Sequence, residues 1–180
     1  MVEMKTQDKL LLHARRQFWA KGYSNVSLRQ IASAAGVDVA LISRHFGGKL
    51  GLFKATLEGA FDVFETPPAN ETELVDTFVR IFAETPRTGS EPSAVTMLLT
   101  NSYDEEVGSL IRELYDRQFQ QSLRDLLDPE RAALFAAVVF GFSVVEKSLR
   151  VDGIAPPSSD KYKSQLKYLL DAARNKPHQR

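Results

Sequence analysis

Residues 27–49, SLRQIASAAGVDVALISRHFGGK, constrain this chain more than any other stretch. Ser27 is placed to cap a helix over SLRQIASAA, and Gly36 supplies a turn in which a left-handed backbone costs little. Asp38 is placed to cap a second helix, VALISRHF, and Gly47-Gly48 must end it. About eight residues lie between that start and stop, roughly two turns, and a helix so short does not persist alone in water. Both pieces must therefore be held by neighbours. The first offers Leu28, Ile31, Ala32 and Ala35 for burial, the second Ile42 and Phe46, with Val37 at the turn.

The flanking sequence supplies those neighbours. A helix over about Thr6–Lys21 carries Leu11, Ala14 and Phe18 on one face and stops at Gly22. Another begins at Gly48-Lys49 and carries Leu52, Phe53, Leu57 and Phe61, out to about residue 64. After a break at TPPAN (66–70), helix-forming stretches recur at about 71–84, 92–102, 104–127, 129–151 and 159–175. TPRTGSEP (85–92) reads as a loop, Asp128-Pro129 as a helix start, and VDGIAPPSS (151–159) as an interruption. Strand-like alternation is nearly absent and no internal repeat is visible. The expectation is an all-α protein of about nine helices, with a three-helix segment over 1–48 followed by a helical body over 49–180.

Composition narrows what such a chain can do. It has no cysteine, which removes disulfides and thiolate metal sites. The three histidines, His13, His45 and His178, are far apart, and no metal site is expected. No spacing of nucleophile and base and no phosphate loop supports an enzyme. Asp104-Glu105-Glu106 is better placed to complement a helix start than to catalyse. The longest apolar run, Ala132–Phe142, is too short to span a bilayer, and no signal peptide is visible, so a cytoplasmic protein is expected. The formal net charge of zero hides a split. Residues 1–54 hold nine Lys/Arg against three Asp/Glu, and the remainder fourteen against twenty. A basic N-terminal segment suits a polyanion and the acidic body does not.

Helix, short glycine-bearing turn, helix is the helix-turn-helix plan, whose second helix enters the DNA major groove by its N-terminal residues. A small helical bundle with no nucleic-acid role has the same outline. The residues themselves say more. GYSNVSLRQIASAAGVDVALISRHFGGKLGLF, with Phe18 four residues before Gly22, resembles the DNA-binding domain of the TetR family of bacterial transcription regulators without a gap over residues 10–53. Gly22, Tyr23, Ser27, Ile31, Ala32, Ala35, Gly36, Val37, Phe46 and Lys49 all match its pattern. Three positions depart from it: Val26 stands where threonine is common, Ala40 where glycine is common, and Ser43 where a DNA-touching tyrosine is usual.

The resemblance implies a DNA-binding regulator, a ligand-released repressor acting as a homodimer on a palindromic duplex operator. Val39, Ala40 and Ser43 would then face base edges, with Val39 and Ala40 suited to thymine methyls. Arg29 suits a bidentate pair to guanine, and Arg44 a base or a phosphate. Tyr23, Ser27, His45 and Lys49 become phosphate candidates, Lys49 at a helix N-terminus where free N–H groups already favour an anion.

For the body, the resemblance implies an effector pocket and a dimer surface, with no cofactor. Phe78, Phe82, Met97, Phe119, Phe140 and Phe142 are candidate lining residues, with Asn101, Tyr103, Arg112, Tyr115 and Gln118 as polar groups. Eleven phenylalanines suit an apolar or aromatic effector. Between Ala132 and Val145 the 129–151 helix has apolar residues on every side, as a central core helix or a helix shared with a partner would. Ala133, Ala137, Gly141 and Val145 on it, and Tyr162, Leu166, Leu169 and Leu170 on the last helix, are candidate interface residues. The 49–64 helix would link pocket to reading head. Two alternatives share the sequence: a helix-turn-helix regulator controlled by a protein partner without a small ligand, and a helical interaction protein that binds no DNA.

Overall fold

In a computed structural model of the protein, residues 4–64, 66–85 and 91–175 are described. Most of the 85–92 loop and His178 lie outside them. All regular structure among the described residues is helical, in nine helical runs. The helices are α1 (Thr6–Lys21), α2 (Leu28–Ala35), α3 (Ala40–Phe46), α4 (Lys49–Thr56), α5 (Glu71–Glu84), α6 (Ala94–Asn101), α7 (Gly108–Tyr115), α8 (Gln121–Arg124), α9 (Pro129–Ser143) and α10 (Asp160–Arg174). A π-helical turn, Asp116–Gln120, joins α7 to α8 in one run, and another, Val144–Ser148, extends α9.

The described residues fall into two compact units, and the division does not follow chain order. Residues up to Phe61 form one unit together with those from 91 to Leu114, that is, α1–α4 with α6 and α7. Residues 62–85 and those from Tyr115 onward form the other.

Local chemistry sets most helix ends. Ser27 and Gln30 form a reciprocal capping box: the Ser27 hydroxyl accepts from the Gln30 amide at 3.2 Å, and the Gln30 side chain accepts from the Ser27 amide at 2.8 Å. Gly36 adopts the left-handed conformation (φ 67°, ψ 36°), and the Val37 amide reaches back to the Ala32 carbonyl at 3.0 Å, a Schellman closure. Asn70 caps α5, Asp128 caps α9 ahead of Pro129, and Ser159 caps α10.

The fourth helix is shorter than its apolar pattern suggests. α4 stops at Thr56 instead of running to 64. The Thr56 hydroxyl donates to the Phe53 carbonyl at 2.7 Å, the next amide bonds are of the tighter three-residue type, and Gly59 turns the chain with φ 68°. Leu57 and Phe61 are buried, as expected, but from a turn. Likewise α7 begins only at Gly108, because the Asp104 side chain caps the preceding turn by accepting from the Glu106 and Val107 amides at 3.0 and 3.1 Å.

The first unit is built around an aromatic trio. Phe18, Tyr23 and Phe53 meet with ring centroids 5.1–5.7 Å apart, with Leu10, Ala14, Ile31, Ile42 and Leu52 buried in the same unit. Leu11, Leu28, Ala35, Val37 and Phe46 are only half-buried. In the second unit α10 packs on α5 and α9. Arg131 ties three helix ends together, bonding the Asp128 carboxylate, the Glu71 carboxylate and the Arg174 carbonyl, each at 2.9 Å.

Candidate nucleic-acid interface

The short helix α3 owes its start to Asp38, whose carboxylate accepts from the Ala40 amide at 2.7 Å. Its first turn is tight, with Leu41 and Ile42 amides bonded three residues back. Ile42 is fully buried and anchors it, while Val39, Ala40, Ser43, Arg44 and His45 are all exposed. Gly47 and Gly48, both at positive φ, carry the chain directly into α4. The N-cap position of α4 is Gly48, which has no side chain with which to cap the helix's first-turn N–H groups. The angle between α3 and α4 also depends on Gly51: a Cβ there would lie 1.8 Å from the Phe46 carbonyl oxygen.

Ser27 and Arg29, at the start of α2, are exposed, and Lys49 is half-buried. Tyr23 differs from the other phosphate candidates. Only 2% of it is exposed, its hydroxyl donates to the Glu106 carboxylate at 2.6 Å, and its ring lies under the Lys49 ammonium, 4.3 Å from centroid to Nζ. Burial and then the Glu106 hydrogen bond push its phenol well above the ordinary tyrosine range. The Tyr23 side chain is thus buried in the first unit with its hydroxyl engaged by Glu106. An open groove of about 690 Å³ between α1 and α2 continues from Arg29 past Lys21 and Arg16 to His13. The periodicity of α1 could have flagged Arg16 and Lys21, but nothing in the sequence placed them beside α2.

Asn101, a pocket candidate by sequence, bonds to the segment around Tyr23. It is fully buried in the first unit, where its carbonyl oxygen accepts from the Tyr23 amide at 2.8 Å and its NH₂ donates to the Phe18 and Met97 carbonyls at 3.2 and 2.9 Å. Asp104 accepts from the Ser24 amide at 3.2 Å. Burial opposes its ionisation, but the hydrogen bonds from Ser24, Val107 and Glu106 outweigh this and hold its carboxyl below the usual range. Met97 is buried in the same unit, where α6 packs on α1. Tyr103 is 92% exposed and Arg112 is exposed, donating to the Ser102 carbonyl. All four of these pocket candidates belong to the first unit.

The remaining seven lie together in the second unit. Phe78 meets Phe119 edge-on, while Tyr115, Phe119 and Phe140 form a triangle with centroids 5.5 Å apart. Phe82 meets Phe142, which meets Tyr162. The side-chain oxygen of Gln118, on the π-helical turn, is buried and accepts no hydrogen bond among the described residues. Of the interface candidates, Ala133, Ala137, Gly141 and Leu169 are exposed and Val145 is half-buried. Tyr162, Leu166 and Leu170 are fully buried. That part of the α10 stripe is the unit's own core and cannot face a partner. An apolar groove of about 420 Å³ runs between α9 and α10, with Ala137, Gly141, Val145, Tyr168 and Leu169 along it.

Among the described residues no group of three His, Asp or Glu side chains could hold a metal, and no helix is long and apolar enough to cross a membrane.

Comparison with known proteins agrees with this architecture at both ends of the chain. Residues 10–56 match the family model described as bacterial regulatory proteins, tetR family, and residues 73–171 match the Tetracyclin repressor-like, C-terminal domain. A "Probable HTH-type transcriptional regulator YttP" of Bacillus subtilis (strain 168) is 38% identical over 73 residues, which span 38% of this chain and 35% of that protein. Two solved structures share the fold. The repressor MexZ of Pseudomonas aeruginosa matches with a TM-score of 0.68 at 24% identity, over 98% of each chain. The multidrug binding protein EbrR, complexed with imidazole, matches with a TM-score of 0.65 at 18% identity, over 98% of this chain and 99% of that one. With an all-helical fold, an exposed short helix held by Ile42, and family matches over both the N-terminal and C-terminal segments, the chain belongs to the TetR family of bacterial regulatory proteins.

Proposed function

We propose that the protein is a transcriptional repressor that binds a palindromic DNA operator as a homodimer and is released by a small apolar or aromatic effector. The observation that carries the DNA reading is the exposed face of α3, together with the exposed Ser27 and Arg29 at the start of α2 and Lys49 at the start of α4, the helix that packs on α3. Residues 1–48 are the reading head in this proposal, and 49–180 the effector-binding and dimerisation part.

Val39, Ala40 and Ser43 meet base edges. Arg29 and Arg44 supply the bidentate and charged contacts, and Ser27, His45 and Lys49 meet phosphates. Tyr23 belongs to the site as the platform under Lys49. One seven-residue helix reads too few bases for specificity. A twofold pair of them, about 34–36 Å apart, reads a palindrome. The open apolar face of α9 and α10, with Ala133, Ala137, Gly141, Val145 and Leu169, is the proposed contact between copies.

Support for an effector comes from the second unit's aromatic cluster and the unsatisfied Gln118 oxygen within it. π-helical turns such as Asp116–Gln120 are frequent at functional sites, and EbrR was solved with a small aromatic heterocycle bound. Release requires that the effector bind the DNA-competent and DNA-free states with different affinity. A bacterial repressor of this kind acts in the cytoplasm.

The test is selection of bound duplexes from a random pool by the purified protein. Enrichment of a palindrome with half-sites one helical turn apart is expected. No enrichment at low salt rejects the proposal.

A further inference from the structure

A lysine is a flexible point charge, and a phosphate contact through it gains when the ammonium is held in place beforehand. Lys49 is so held. Its Nζ sits 4.3 Å from the centroid of the Tyr23 ring. That ring is itself fixed by stacking on Phe18 and by an edge contact with Phe53. Packing alone would be served by phenylalanine. The hydroxyl adds a polar atom at a buried residue, and it finds its acceptor on Glu106, 83 residues away on the turn that leads into α7. A phenol that donates to a carboxylate has a more electron-rich ring, and a richer ring attracts an ammonium more strongly.

Resting on the reading of Lys49 as a phosphate ligand, we propose that Tyr23 and Glu106 are positioning residues for it: Glu106 fixes the phenol, and the phenol ring holds the ammonium at the start of α4. The contact to DNA is thereby set in part by the α6–α7 turn, well outside the helix-turn-helix.

The test uses the full-length protein and a fluorescein-labelled mixed-sequence duplex at low salt, because a phosphate contact acts on every sequence. Lys49→Ala is expected to weaken binding and flatten the salt slope by about 0.9. Glu106→Gln and Glu106→Ala remove the same negative charge, so repulsion from DNA cancels between them, but only glutamine keeps an acceptor for the phenol. Glu106→Ala should bind about threefold to tenfold more weakly than Glu106→Gln. That difference should vanish when each is combined with Lys49→Ala. Glu106 is exposed, and the fluorescence of Trp19 checks that each variant retains its fold. Equal binding by the two Glu106 variants overturns the inference, and so does a difference that survives intact without Lys49. A Lys49→Ala variant that binds like the wild type overturns it by removing its premise. A wild-type protein that binds no duplex rejects the DNA-binding proposal itself.

Discussion

Replacing Asn101 with alanine removes three hydrogen bonds from a fully buried position, and their loss is unequal. The Phe18 carbonyl keeps its bond from the Gly22 amide, and the Met97 carbonyl remains within a helix. The Tyr23 amide has no such alternative among its described contacts, because Asn101 is its acceptor. An orphaned buried donor costs about 1–3 kcal/mol, and the space left by the amide adds to that cost. A total near 3 kcal/mol lowers the melting midpoint by roughly 6–12 °C in a protein of this size. Trp19, the single tryptophan, is 1% exposed in the same unit, so its fluorescence reports the loss directly. Asn101→Asp supplies a second arm. It keeps an acceptor for the Tyr23 amide but aims a carboxylate at the Phe18 and Met97 carbonyls. Burial and those carbonyls raise its folded pKa above the unfolded value of about 3.9. The folded state then takes up a proton that the unfolded state does not, so this variant should gain stability as pH falls from 7 towards 5. A loss below about 1 kcal/mol in Asn101→Ala, or no gain on acidification in Asn101→Asp, refutes the role given to this side chain.

Gly51→Ala brings a methyl group 1.8 Å from the Phe46 carbonyl oxygen, a backbone atom that cannot swing aside. It should cost about 1–3 kcal/mol or more and abolish duplex binding; an equally stable variant with normal binding counts against the α3–α4 geometry. Asp104 has a lowered folded pKa, so its contribution is full above its unfolded pKa and is lost as pH falls through the folded value. Asp104→Asn should remove that acid-side loss, making denaturation midpoints less sensitive to pH below the unfolded aspartate value of about 3.9 than in the wild type; identical pH profiles would contradict the assignment. Gly141 is exposed, with nothing within 4 Å of a Cβ placed on it. Gly141→Glu should leave the protomer's helicity intact while shifting sedimentation of the proposed homodimer towards monomer, with a melting midpoint that falls by the stabilisation lost with the partner; an unchanged dimer would move the interface elsewhere.

What was legible in the sequence was local. α1 over Thr6–Lys21, the Ser27 cap, the Gly36 turn and the Asp128-Pro129 start each depend on residues within one or two turns of each other. The exposed face of α3 follows from the same kind of reasoning, because Ile42 points one way and its neighbours the other. What escaped depended on distance along the chain. Asn101 and Met97 have side chains that suit a ligand pocket, and only contacts across some eighty residues place them against α1 and Tyr23. The apolar pattern running past Thr56 gave no warning that the backbone would turn at Gly59 while Leu57 and Phe61 stayed buried. The α10 stripe is legible as apolar, but sequence does not divide it into Leu166 and Leu170 facing inward and Leu169 facing out.

The discontinuous make-up of the first unit bears on how such regulators can be recombined. A reading head cut after α4 would leave behind α6 and α7, and with them the acceptors for the Tyr23 amide, the Ser24 amide and the Tyr23 hydroxyl. Grafting a foreign head onto this body at a junction after α4 would join a new turn to Asn101, Asp104 and Glu106, side chains matched to the old one. A chimera that carries residues 91–114 along with its head keeps those pairings. The compatible unit of exchange in this protein is therefore spatial, not linear, because it is built from two separated pieces of chain.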